Sequence, residues 1–244
     1  MNNPDAHRDD DPRQAELRQN LAAVRDRIEQ ACAVAGRQPA DLTLIAVTKF
    51  FPVTDAIALA RCGVTDLGEN RDQEASAKAA AFAEQAPAGT PPVRWHFIGR
   101  LQTNKARSVV GYADLVHSVD RPELADALAH AAEQAGRRLP VLVQMSLDAD
   151  PDRGGSTSSR LLELADRVAD RPALQLSGVM AIPPLEADPD AAFEVLAEVA
   201  ERLRANHPTA VIVSAGMSAD LEAAVRHGAT HLRIGTALLG RRRR

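Results

Sequence analysis

The chain has two cysteines, 3% aromatic residues and no excess of positive charge. Cys32 and Cys62 fall in separate helical patterns at no metal or redox spacing, which excludes a disulfide framework or a cysteine metal site. With 29 Lys+Arg against 33 Asp+Glu the net charge is −4, so no general attraction to nucleic acid or to a membrane surface is expected. The run Arg241 to Arg244 reads as a solvated tail. No apolar stretch approaches the roughly 20 residues that span a bilayer, and the polar start MNNPDAHRDDDP is unlike a signal peptide. A cytoplasmic protein is expected. A linker rich in Gly, Pro or Ser is also missing, so a second domain has nowhere to begin.

What is present is an ordinary globular composition, 45% hydrophobic and 25% charged. Leu17, Leu21, Val24 and Ile28 recur at helical spacing until Gly36 supplies a stop. Eight short apolar strands then alternate with amphipathic helical segments: Leu42–Val47, Val64–Leu67, Arg94–Ile98, Leu115–Val119, Val141–Met145, Leu176–Met180, Ala210–Val213 and His231–Ile234. This order predicts an α/β fold, a single (β/α)8 TIM-type barrel with an extra N-terminal helix. The expected limits are a disordered tail over 1–12, the barrel over 13–240 and a basic tail over 241–244, in a monomer. An open doubly wound sheet would show a Gly-rich turn after its first strand. Lys-Phe-Phe-Pro stands there instead.

In such a barrel the carboxyl ends of all strands meet at one mouth. Lys49 lies just past the first strand, Asn70 past the second, and His96 in the third. Met180 ends the sixth, and the seventh begins the segment Ser214, Gly216, Met217, Ser218. Gly216, Met217 and Ser218 lead into the helix ADLEAAVRHG, whose amino terminus offers N–H groups to an anion. Gly235 and Thr236 follow the eighth strand, where barrels often hold a phosphate. Arg233, two residues earlier, would be costly facing inward without a partner. A lysine able to form a Schiff base, a phosphate cradle and an arginine around one flat ligand suit pyridoxal 5′-phosphate (PLP). A desolvated site with a nearby cation would favour the neutral amine that Lys49 needs.

Three further signals carry less. Asp148, Asp150 and Asp152 mimic a calcium loop, but Arg153 and Ser159 stand where glycine and glutamate are required. His227 and His231 have the spacing of a metal pair, but Gly228 ends the helix between them. Gly154, Gly155 and Ser156 read as a flexible loop rather than an anion site.

The motifs AVTKFFP, GENRDQEASAK, HFIGRLQTNK, SGVMAIP, SAGMSADLEAAVRHG and RIGTALLGRR resemble, in order, those of the pyridoxal phosphate homeostasis proteins (YggS/PROSC type), over about Leu17 to Arg242. The resemblance implies a barrel related to the alanine racemase N-terminal domain, with PLP on Lys49. Ser218, Gly235 and Thr236 match the family's phosphate positions, Arg233 its pyridine-nitrogen contact, and Asn70 its GEN asparagine. His96 and Met180 match its strand motifs. Phe50 and Phe51 depart from the polar or basic residues common after the lysine, and Arg100 and Ser146 are further departures.

The implied function is PLP homeostasis without a committed catalytic cycle, with PLP, other B6 vitamers and PLP-dependent apoenzymes as partners. Enzymes that use the ring as a strong electron sink keep its nitrogen protonated against a carboxylate, whereas an arginine disfavours that. Racemases of this fold add a tyrosine base from a second domain. The one tyrosine here, Tyr112, precedes the fourth strand and is expected at the barrel's amino-terminal face. A PLP-dependent amino-acid racemase using another base, such as His96, is the main alternative. A barrel aldolase acting through Lys49 is the second.

Overall fold

Each apolar run becomes a parallel strand in the computed structural model, which describes residues 11–148, 154–184 and 186–240. The strands are β1 (Thr43–Val47), β2 (Asp66–Glu69), β3 (Arg94–Phe97), β4 (Leu115–Val119), β5 (Leu139–Met145), β6 (Leu174–Ala181), β7 (Ile212–Ser214) and β8 (His231–Ile234). They pair in chain order, and β8 pairs with β1 to close the barrel. Between them run α2 (Val53–Arg61), α3 (Asp72–Gln85), α4 (Ala106–Tyr112), α5 (Pro122–Gln134), α6 (Ser158–Ala169), α7 (Pro189–Asn206) and α8 (Leu221–Arg226). The expected barrel with its preceding helix is therefore the observed one.

That helix, α1 (Pro12–Ala35), begins inside the expected tail because Asp11 accepts the N–H of Arg13 and Pro12 suits the first helical position. Residues 1–10 and 241–244 of the two tails, and Asp150, Asp152 and Arg153, lie outside the described residues. At its other end Gly36 adopts a left-handed φ of 66° and lets Arg37 N–H return to Cys32 O.

Among the described residues β8 is followed by the four-residue α9 (Thr236–Leu239), which is too short to cover the seam between β8 and β1. The first helix does so instead. Its buried Leu17, Leu21, Val24, Ile28 and Cys32 face inward, and it packs on α2, α8 and α9. Each such aliphatic side chain contributes about 1.5–3 kcal/mol when fully buried. Polar residues of the same helix hold the last two loops. Asn20 donates to Leu238 O (2.9 Å), Arg13 to Leu239 O (3.0 Å) and Arg27 to Ser218 O (3.1 Å).

A Cβ placed on Gly68 would lie 3.0 Å from Ile45 Cγ2, 3.4 Å from Ile98 Cδ1 and 3.5 Å from Val47 Cγ2. These side chains therefore meet inside the barrel, and strand alternation puts Asp66 and His96 on the same inner side, with Lys49 and Asn70 in the turns just past β1 and β2. Among the described residues no helix is long and apolar enough to cross a membrane, and no cluster of three His, Cys, Asp or Glu side chains could hold a metal. His227 pairs with Asp190 (2.9 Å) while His231 enters β8. Ser156, expected in a flexible loop, is tied to β5 through Gln144 O (2.8 Å) and Ser146 N (2.9 Å).

Candidate cofactor site

Lys49 stands on a turn that is clamped from beneath. The carbonyl of buried Thr48 accepts Phe51 N–H (3.1 Å) and also Lys78 Nζ (2.7 Å). Lys78 ion-pairs with Glu69, and Thr48 Oγ1 donates to the same carboxylate at 2.6 Å. Phe50 takes a left-handed φ of 70°, uncommon for a residue with a bulky Cβ substituent and a mark of functional turns. Its ring lies 5.9 Å from Lys49 Nζ and 5.3 Å from the Arg71 guanidinium. Lys49 itself is exposed. The desolvated setting expected for its amine is thus not what the fold provides, since the residue lies at the open rim rather than in the core.

Arg233 is placed as the sequence suggested, inside the barrel and 3% exposed. Its Nη1 donates to Ser214 Oγ (2.6 Å) and its Nη2 to Ala181 O (2.9 Å). No carboxylate pairs with it among the described residues. Burial pushes its pKa down to about 10, against the opposing pull of Asp220, so it stays a cation at neutral pH. Ile45 registers with Arg233 and Ala46 with Ile234. The position of a Gly235 Cβ lies 3.5 Å from both Val47 Cβ and Val47 O. Arg233, Gly235 and Lys49 consequently follow one another up two adjacent strands toward the mouth.

The loops after β7 and β8 are joined to each other, because Ser218 Oγ accepts Ala237 N–H (3.2 Å) from the first turn of α9. Gly216 has φ +88°, and a Cβ there would come within 2.6 Å of Ala224 Cβ and 2.9 Å of Leu232 Cδ2, so only glycine fits. One expectation is corrected. The helix starts at Leu221 rather than after Ser218, and Met217 N–H is taken by Asp220 Oδ1 at 2.5 Å. Ser218 and the turn Gly235–Thr236 stay together at this edge of the barrel through the bond from Ala237 N–H to Ser218 Oγ.

Asn70 reaches the rim with its Oδ1 buried and without a partner. A Cβ on Gly99 would stand 2.0 Å from Asn70 O, so the IGR turn needs its glycine to pass. His96 and Met180 are buried inside the barrel. His96 uses both ring nitrogens inside the barrel, and Met180, 1% exposed, packs with Leu115 and Leu142. Ser214 is wholly buried between His117 and Arg233. Tyr112 ends α4 with its hydroxyl buried near Asp72 and Glu69, outside the sheet. It does not stay at the amino-terminal face, because a helical side chain leans back toward the start of its helix. Sequence reasoning passed over Asp66, Glu69, Lys78 and the role of His117. For Asp66, Glu69 and His117 the available signal was a charged or imidazole group within a strand, whereas Lys78 on α3 gave none.

These residues fit a flat anionic cofactor bearing a reactive carbonyl. A buried cation without a carboxylate, an unpartnered amide oxygen and a primary amine converge on one mouth, with a hydroxyl and backbone amides at its edge. The sequence profile of the alanine racemase N-terminal domain matches residues 15–243. Alanine racemase of Corynebacterium glutamicum shares the fold, with a TM-score of 0.69 at 14% identity over 92% of this chain and 60% of that one. The barrel is thus of the alanine racemase N-terminal class.

Closer likenesses narrow the class. The pyridoxal phosphate homeostasis protein of Mycobacterium tuberculosis is 46% identical over 246 aligned positions, 95% of each chain. PipY of Synechococcus elongatus PCC7942, solved with PLP bound, has a TM-score of 0.79 and 32% identity, covering 92% of this chain and 100% of that one. The chain belongs to the pyridoxal phosphate homeostasis protein family.

Proposed function

We propose that this protein binds PLP at the barrel mouth, with Lys49 as its amine, and stores the cofactor or hands it to apoenzymes without running a catalytic cycle of its own. The observation that carries this reading is the placement of Arg233 in β8 with Gly235 and Lys49 just past the ends of the paired β8 and β1, the buried guanidinium having no carboxylate partner among the described residues. When bound, PLP supplies a ring aldehyde that condenses reversibly with a primary amine. Lys49 provides that amine from a turn fixed by Thr48, Glu69 and Lys78. Ser218 Oγ and the backbone amides at Gly235 and Thr236 would take the phosphate, and N–H groups of Arg233 left over from Ser214 and Ala181 O would face the ring. Other B6 vitamers that keep the phosphate would meet the same groups.

A guanidinium beside the ring cannot accept a proton, so it opposes protonation of the ring nitrogen and weakens the electron sink that most PLP enzymes exploit. Neither His96 nor Tyr112 is placed to act as a second base. His96 has both ring nitrogens engaged, and the Tyr112 hydroxyl lies outside the sheet. No described segment closes over Lys49 to exclude water, as catalytic sites of this chemistry usually arrange.

PLP-loaded protein incubated with single amino-acid enantiomers is expected to racemise or transaminate them no faster than free PLP does. Turnover well above that background, followed by chiral chromatography, would replace this reading with the racemase one.

A further inference from the structure

Below the mouth, side chains from five different strands form one unbroken line of hydrogen bonds across the barrel. Arg233 Nη1 meets Ser214 Oγ (2.6 Å), Ser214 Oγ meets His117 Nδ1 (2.9 Å), and His117 Nε2 meets His96 Nδ1 (2.9 Å). His96 Nε2 then meets Asp66 Oδ1 (2.8 Å). The members are at most 3% exposed. Buried polar groups in such number are costly unless every one is satisfied, so the line calls for a purpose.

Its direction follows from what each end can do. A guanidinium only donates, so Ser214 Oγ accepts from Arg233, which leaves its own proton free for His117 Nδ1. A neutral His117 then donates through Nε2 to His96 Nδ1, and His96 donates through Nε2 to Asp66. The far end agrees, because an ionised carboxylate only accepts. The carboxylate end thus fixes Nε2–H for both histidines in their neutral form, and the Arg233–Ser214 end accommodates it. We infer that the line Asp66–His96–His117–Ser214 is a positioning device for Arg233, fixing the guanidinium that meets the cofactor ring by an acceptor anchored at the opposite end of the barrel.

The surroundings support this assignment. Asp66 is further held by Arg94 (2.8 Å) and Thr65 Oγ1 (2.6 Å), and these partners with His96 keep its carboxyl well below the ordinary carboxylate range. Burial, with help from the Arg233 cation, holds His117 well below the ordinary histidine range and hence neutral. His231, its ring 6.3 Å from His96 and 6.5 Å from His117, bonds Thr230 instead and stays outside the line. Asp66 and Arg94 border a cavity at the amino-terminal end, together with Arg25 and Glu29. The anchor is therefore remote from the cofactor, and Asp66, His96 and His117 act through Arg233 rather than by touching the ring.

The positioning role rests on the PLP reading, but the tautomers do not, which lets the two be judged separately. In the full chain without PLP at pH 7, histidine ¹⁵N spectra are expected to show His96 and His117 protonated at Nε2 alone. Asp66→Asn, which offers an amide donor where the line needs an acceptor, is expected to bring in the Nδ1–H form. In PLP-loaded Asp66→Asn the pH midpoint of the cofactor's absorption band should move by about one unit, a tenfold change in that equilibrium, with Lys49 still the site of attachment. Should Asp66→Asn not fold, Ser214→Ala should shift the band and Ser214→Thr, which keeps the hydroxyl, should restore it. An Nδ1–H tautomer at either histidine in the wild type, or a band unmoved by Asp66→Asn and by Ser214→Ala, overturns the inference. A wild type that gains no band with PLP contradicts the cofactor reading instead.

Discussion

Lys49→Ala is expected to lose completely the visible absorption band that the wild-type protein gains with PLP, while keeping its fold. The side chain is exposed, so its removal leaves no cavity, and exposed substitutions away from special features usually change stability by no more than about 0.5 kcal/mol. The turn beneath it is held by Phe51 N–H and Lys78 Nζ on Thr48 O, neither of which involves the Lys49 side chain. The phosphate-binding groups proposed at Ser218 and Gly235 also remain, so weak and reversible PLP binding should persist and be measurable by equilibrium dialysis. A variant that retains the band would move the attachment to another amine.

Lys78→Met should have the largest effect on stability. Removing one member of a buried ion pair costs about 3–5 kcal/mol, because the other charge is left uncompensated. Here Glu69 would be stranded in the layer between β2 and α3, where its Oε2 already has no partner. That is a large share of the roughly 5–15 kcal/mol available to a typical domain. Urea unfolding should show the loss, and the double variant Lys78→Met with Glu69→Leu should recover most of it, since an apolar pair of similar volume is often neutral. A single variant no less stable than the double would mean that the pair is not coupled. The turn carrying Lys49 should also loosen in Lys78→Met, because Thr48 O loses one of its two donors.

The barrel was legible because its signals were local. Apolar runs of strand length, helix stops such as Gly36 and Gly63, and even spacing leave few alternatives to eight βα units. Strand edges were less so. Val64 is as apolar as a strand residue, but its N–H returns to Leu59 O at the end of α2, so β2 starts only at Asp66. Ala210 is buried with its N–H bonded to His207 O, and β7 begins two residues later, at Ile212.

Lys49, Arg233, Ser218 and Gly235 could be read off as residues at strand ends, because the topology alone gathers those ends. The support around them could not. Whether Asp66, His96 and His117 face inward depends on register, and one residue of slip would turn each to the other side of the sheet. Likewise Asp220 competes for Met217 N–H through a turn whose geometry no spacing rule specifies. Lys78 is one charge among several on the alanine-rich α3, and only its depth reveals the bond to Thr48.

The most direct test of the central claim is to reduce PLP-loaded wild-type protein with borohydride, digest it and locate the pyridoxyl group by peptide mass. The account predicts a single modified peptide carrying the group on Lys49. A group fixed on Lys78, Lys105 or any other amine, with Lys49 unmodified, would contradict it.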